Sequence, residues 1–177
     1  LVLAPAVPAA EPLIPAGRYT SDPAHTSLTF RVSHLGFSRF TARFTRTDAV
    51  LDLDPADPAA SSVEAVIDPL SLETDYPFDD MDFDAYLAGP EWLDAARFPA
   101  ITFTSTGIEM TGHRTARITG DLALHGVVRP VVLEATFNGG YASHPLDPGG
   151  SRIGFSAHGS IERSAFGITF GLPPAGS

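Results

Sequence analysis

Leu28-Thr29-Phe30-Arg31-Val32-Ser33 carries an apolar side chain at every second position, and Phe40-Thr41-Ala42-Arg43-Phe44-Thr45 repeats the alternation a few residues on. A period of two sends successive side chains to opposite faces of an extended chain, so each run reads as a strand with one buried and one wet face. Asp48 to Leu53 extends the second run to a turn at Asp54-Pro55-Ala56-Asp57-Pro58, after which come Val63, Ala65 and Ile67. Further along, Ile101 and Phe103 lie among Thr102, Thr104 and Thr106, while Ile118, Leu122 and Leu124 lie among Thr119, Asp121 and His125. Val131, Leu133, Ala135 and Phe137 flank Glu134 and Thr136; Ile153, Phe155, Ala157 and Ile161 alternate with Gly154, Ser156, His158 and Ser160. Gly, Pro and Asp separate the runs, as in antiparallel hairpins.

Half-buried strands need a cover. The helical candidates lie between Pro77 and Ala96, with Pro90 suited to a first helical position before Glu91-Trp92-Leu93. So short an excursion, near residues 78–96, cannot cover the sheet, which must cover itself as a sandwich or a closed barrel. A sandwich fills its middle with side chains, whereas a barrel of about eight strands has room for side chains or one small ligand. Alternation alone leaves both open. The expectation from the residues alone is a single all-β antiparallel domain over residues 16–177 with about eight strands, closed as either a sandwich or a barrel.

Composition narrows the chemistry. Eleven Arg, no Lys and 21 acidic residues give a formal charge of −10, which disfavours nucleic acid and loose adsorption to anionic bilayers. The absence of Cys removes disulfides, thiolate catalysis and thiolate metal sites. Leu1-Val2-Leu3-Ala4-Pro5-Ala6-Val7-Pro8-Ala9-Ala10-Glu11 reads as the end of a signal sequence or a disordered arm, so residues 1–15 are set apart and a periplasmic or secreted location is expected.

Six His show no His-x-His or His-x-x-x-His spacing, so no metal is expected. No Gly-x-Ser-x-Gly elbow is present; Gly159-Ser160-Ile161-Glu162 lacks the second glycine. Asp75, Asp79, Asp80, Asp82 and Asp84 lack the regular calcium-loop spacing and read as a solvated acidic loop ahead of a helix. Trp92 and Leu93, in the excursion, suit an end plug or a lid.

Several ordered stretches resemble the YceI-like family of lipid-binding proteins. Tyr19-Thr20-Ser21-Asp22-Pro23-Ala24-His25-Thr26-Ser27-Leu28-Thr29-Phe30 is similar to its opening motif, and His34-Leu35-Gly36-Phe37-Ser38 to the family's next stretch. Leu93-Asp94-Ala95-Ala96-Arg97-Phe98-Pro99-Ala100-Ile101-Thr102-Phe103-Thr104-Ser105 resembles the central motif. Gly120-Asp121-Leu122-Ala123-Leu124-His125-Gly126-Val127-Val128-Arg129-Pro130-Val131 and Arg163-Ser164-Ala165-Phe166-Gly167-Ile168 resemble the last two. The sequence departs from the family at several places: Thr26 replaces the usual Ser, Phe83-Asp84-Ala85-Tyr86-Leu87 stands where the family often has an Arg-Asp-x-His-Leu segment, and Ala165 replaces an acid beside Arg163.

The resemblance implies a lipocalin-like barrel whose lumen holds a polyprenyl or quinone-like lipid in the cell envelope, with no catalytic residues and no cofactor beyond that bound lipid. The expected lining is Phe30, Val32, Phe37, Phe40, Phe44, Trp92, Phe103, Leu122, Leu124, Leu133, Phe137, Phe155 and Phe166, with His25 and Arg163 at the head group. The competing functions are an enzyme acting on a lipid substrate and a partner module for a membrane quinone or cytochrome system. Family members usually run through one more strand than the stretch ending at Phe166-Gly167-Ile168-Thr169-Phe170-Gly171-Leu172-Pro173-Pro174 provides. The expectation is therefore an open edge, left by a missing last strand or covered in a homodimer. A transient membrane-protein partner in the envelope is the other expected contact.

Overall fold

The computed structural model describes residues 14–172. Among them, ten strands form two antiparallel sheets. The larger contains β1 (Gly17–Thr20), β4 (Thr47–Leu53), β5 (Ser62–Ile67), β7 (Ile101–Met110), β8 (Thr115–Leu124), β9 (Val127–Tyr141) and β10 (Arg152–His158), adjacent in that order. The smaller contains β2 (Leu28–His34), β3 (Ser38–Phe44) and β6 (Leu72–Glu73). A short helix, α1 (Phe83–Ala88), lies between β6 and β7.

The larger sheet curls into a half-barrel. Bulges shift the register between Ser105 and Gly107 in β7 and between Gly154 and Phe155 in β10, and each adds local twist. Curling brings the lead into β1 against the far side of the sheet: a Cβ on Gly140 of β9 would lie 2.9 Å from Cδ1 of Ile14. The smaller sheet covers part of the concave face, and Ala42, Phe44 and Leu72 pack with Ile67, Ile101 and Leu124. Two antiparallel sheets thus bury each other's apolar faces, as the alternation requires.

Two expectations are corrected. Phe40 to Leu53 is not one long strand: it breaks at Thr45 and Arg46, and β3 and β4 belong to different sheets. The break is held by hydrogen bonds. Thr45 N–H donates to the Ser71 carbonyl, Arg46 N–H to Ser71 Oγ, and Asp68 N–H to the Arg46 carbonyl. The helix ends before Pro90 instead of starting there; Asp82 caps α1 by accepting from Ala85 N–H, and Gly89 follows its end. Residues beyond Gly89 turn back, with the Leu93 and Ala95 N–H groups donating to the Leu87 and Ala88 carbonyls.

Among the described residues the larger sheet has free edges at β1 and β10, and no strand follows β10. A 3-10 turn, Arg163–Phe166, comes next, and its Phe166, 2% exposed, plugs the packed end of the fold with Ile168.

Candidate functional site

Cross-strand register defines the concave face, because directly opposed residues share a side of the sheet. From the packed end outward, the rows on β7, β8 and β9 run Phe103, Leu122, Arg129; then Ser105, Gly120, Val131; then Ile108, Ile118, Leu133. The next row, Met110, Ala116 and Ala135, continues to Ala157 on β10, and Phe137 is opposed by Phe155. The opposite face carries Arg117, Glu134, Asp121 and Thr136. Arg117 there bridges Glu109 and Glu134, each at 3.2 Å, so the convex side is the wet one.

The concave face has two halves. In the packed half Phe30 and Phe44 stack at 5.3 Å between centroids, and Leu124, Phe166 and Ile168 are buried among them. Phe40, Trp92 and Leu122 pack around this cluster, and Val32 lies directly opposite Phe40. Phe103 is buried at the boundary, its ring folded over Gly120, where a Cβ would come within 2.4 Å of Cζ. Beyond it Ala135 is buried, but its larger neighbours are not. Ile108, Ile118, Leu133 and Phe137 are only half-buried, and Met110 and Phe155 are exposed, Phe155 at 45%. The result is an apolar trough lined across four strands, with small alanines in its middle row.

Of the thirteen residues expected to line the lumen, four lie at the trough and most of the others pack at the closed end. Leu133, Phe137 and Phe155 lie in the trough, with Phe103 at its floor. Phe44, Leu124 and Phe166 are solid core, and a ligand reaches them only by displacing packed side chains. Phe37 is not in the interior: it sits 80% exposed at the tip of the β2–β3 hairpin, because the turn follows His34 and leaves it beyond both apolar faces. Ile108 and Met110 on β7 went unrecognised as lining. The β7 bulge swaps the inward positions from odd to even numbers, a change that alternation by itself cannot announce.

The expected head-group residues have structural partners. His25 is exposed and its Nδ1 lies 2.9 Å from Asp22 Oδ2; this bond is the main reason the Asp22 carboxyl is held below its ordinary pKa. Arg163 donates from NH1 to the carbonyls of Ile168 at 3.2 Å and Phe170 at 2.8 Å, and its guanidinium lies 5.2 Å from the Trp92 ring centroid. It pins the closing segment, and burial lowers its pKa from the ordinary guanidinium value. By contrast, Trp92 Nε1 and Thr47 Oγ1 are buried with no hydrogen-bond partner among the described residues. Each such group costs about 1–3 kcal/mol until something satisfies it. No cluster of three or more His, Cys, Asp or Glu among the described residues is placed to hold a metal ion.

A family model described as the YceI-like domain matches residues 19–176. A UPF0312 protein of Pseudomonas savastanoi pv. phaseolicola is 37% identical over 145 residues, covering 81% of this chain and 71% of the relative. A UPF0312 protein of Vibrio cholerae is 36% identical over 146 residues, covering 82% and 73%. Among solved structures, Burkholderia cenocepacia BcnA superposes with a TM-score of 0.71 at 27% identity, over 85% of this chain and 86% of that one. The Campylobacter jejuni YCEI protein, described as crystallizing with large solvent channels, gives a TM-score of 0.63 at 32% identity, over 84% and 83%.

Proposed function

The chain belongs to the YceI-like family, and from that premise we propose that it binds a long isoprenoid-type lipid along the concave trough, as a carrier or sequestering protein of the cell envelope. The family is one of binding proteins, known for polyisoprenoid ligands. One observation of this chain supports the reading above the others: the concave face is apolar from the Ile108 row outward, yet most of its side chains there are left half-buried or exposed, whereas the end around Phe44 and Phe166 is packed. A soluble fold gains nothing from leaving Met110 and Phe155 open on an otherwise apolar inner surface, whereas an alkyl or prenyl tail laid there is removed from water.

Ten buried methylene equivalents at ~0.8 kcal/mol each supply about 8 kcal/mol gross, a micromolar scale before ordering costs. No catalytic group is required. His25 and Arg163 are engaged with protein atoms and the Trp92 indole lies in the packed half, so the binding energy is assigned to the tail. Release into the periplasm or outside the cell, and delivery to a membrane protein there, fit a carrier of this kind; the β10 edge, unpaired among the described residues, suits a second copy or further chain.

The test is native mass spectrometry of protein purified without detergent, followed by denaturing extraction and by titration of the emptied protein with farnesol. An isoprenoid adduct, or saturable farnesol uptake at one site, is expected. Failure to retain or take up any such lipid, together with turnover of a lipid ester, overturns the proposal in favour of an enzyme.

A further inference from the structure

The β2–β3 hairpin carries features that neither the core nor the trough uses. Its tip is apolar and fully wet: Leu35 is 76% exposed and Phe37 flanks it on the outside. Leu35 and Gly36 both have positive φ, 52° and 77°, and the Phe37 N–H closes the turn on the His34 carbonyl. Asn or Gly normally occupies such positions, because a larger side chain there is strained. A strained, exposed leucine is the wrong residue for the turn alone.

Charge singles out the same hairpin. Of eleven arginines, nine hold a carboxylate or a backbone carbonyl: 18, 43, 46, 97, 114, 117, 129, 152 and 163. The remaining two, Arg31 and Arg39, make no such bond among the described residues. They project from the outer face of this hairpin beside Ser33, which is directly opposite Arg39. Together with Gly36, Phe37, Ser38 and Ser160 they line an open polar cleft of about 460 Å³. No Asp or Glu occurs between Asp22 and Asp48, although the chain carries 21 of them.

We propose that this hairpin docks the protein on anionic bilayers, Leu35 and Phe37 entering the interface while Arg31 and Arg39 hold lipid phosphates. Apolar insertion and cationic contact reinforce each other at such a surface. The net charge of −10 opposes loose adsorption of the whole body, but at about 0.1 M salt charges farther than about 10 Å from the headgroups are screened. A carboxylate-free projection then decides the contact. The proposal stands apart from the trough's ligand, so a lipid-loaded protein that ignores vesicles would sink docking alone.

Co-sedimentation with extruded vesicles of phosphatidylcholine, with and without phosphatidylglycerol, tests it. The protein should pellet with the anionic vesicles. Each of Arg31→Gln and Arg39→Gln should weaken this about fivefold, and the pair about thirtyfold. Leu35→Asn supplies the residue the turn prefers, so it should fold at least as stably and yet pellet several-fold less; Phe37→Ser should behave alike. The proposal is overturned by no pelleting of the parent protein, by Leu35→Asn and Phe37→Ser pelleting like the parent, or by inorganic phosphate binding at the arginines with no vesicle response. Loss of a dimer in place of loss of vesicle binding would assign the tip to a second copy and overturn it too.

Discussion

Phe155→Ser tests the trough with a matched control built into the same sheet. Phe155 is 45% exposed on the concave face, opposite Phe137, whose ring centroid lies 5.4 Å away. A phenylalanine side chain can bury about 200 Å², so roughly 90 Å² of this one is still available to a ligand. At about 25 cal/mol per Å² its removal should cost about 2 kcal/mol of binding, which is about thirtyfold in Kd. Val132 is 44% exposed on the opposite, convex face. Val132→Ser therefore removes a comparably exposed side chain where no ligand is expected and should leave Kd unchanged. Farnesol titration by calorimetry, with thermal unfolding to confirm that both variants fold, reads the difference. A Kd within twofold of the parent for Phe155→Ser, or equal losses for the two variants, would refute the assignment of the tail to the concave face.

Gly120→Ala should destabilise the fold by about 2 kcal/mol, since the new methyl meets Phe103 Cζ at 2.4 Å and the Thr104 carbonyl at 2.6 Å. For a chain of this length that lowers Tm by about 4–8 °C in a thermal melt, and an unchanged Tm would place the Phe103 ring elsewhere. Arg163→Ala should cost about 1–3 kcal/mol by freeing the carbonyls of Ile168 and Phe170, while shifting affinity for phosphorylated and neutral isoprenoids equally; a selective loss of the phosphorylated ligand would return Arg163 to the head group. Asp147 is held below its ordinary carboxyl pKa first by the Tyr141 hydroxyl and then by Arg152, and Asp22 and Asp68 are lowered as well. Because these folded pKa values are depressed, their stabilisation is complete above the unfolded carboxylate pKa and is lost as pH falls through the lower folded values. Urea midpoints should thus be flat near neutrality and fall in acid below the ordinary carboxylate range, less steeply in Asp147→Asn.

Strands and the sides they present were legible because alternation is a local property. Val131, Leu133, Ala135 and Phe137 face inward together, as their spacing implies. The ordered motifs around Asp22, Phe98, Gly126 and Phe166 were enough to indicate the family that the whole-chain match shows. Parity was lost at the β7 bulge: one extra residue between Ser105 and Gly107 moves Ile108 and Met110 into the trough, and Gly107 within the strand is the one signal that marks the step. Phe37 was expected in the lining although it is out of phase with Phe40, Ala42 and Phe44, and it sits exposed in the turn before β3.

The sequence by itself determined an antiparallel β fold with an apolar inner face, because a period of two and turn residues act over a few residues at a time. Only the tertiary structure decided how that face is shared between packing and an open trough. It split the run from Phe40 to Leu53 between two sheets and turned Arg163 to backbone carbonyls. The first depends on a distant segment coming to lie alongside, Ser71 beside Arg46, and the second on the closing turn that brings Ile168 and Phe170 back to Arg163. Contacts between remote parts of the chain are set by the closure of the whole sheet, and no local pattern encodes them.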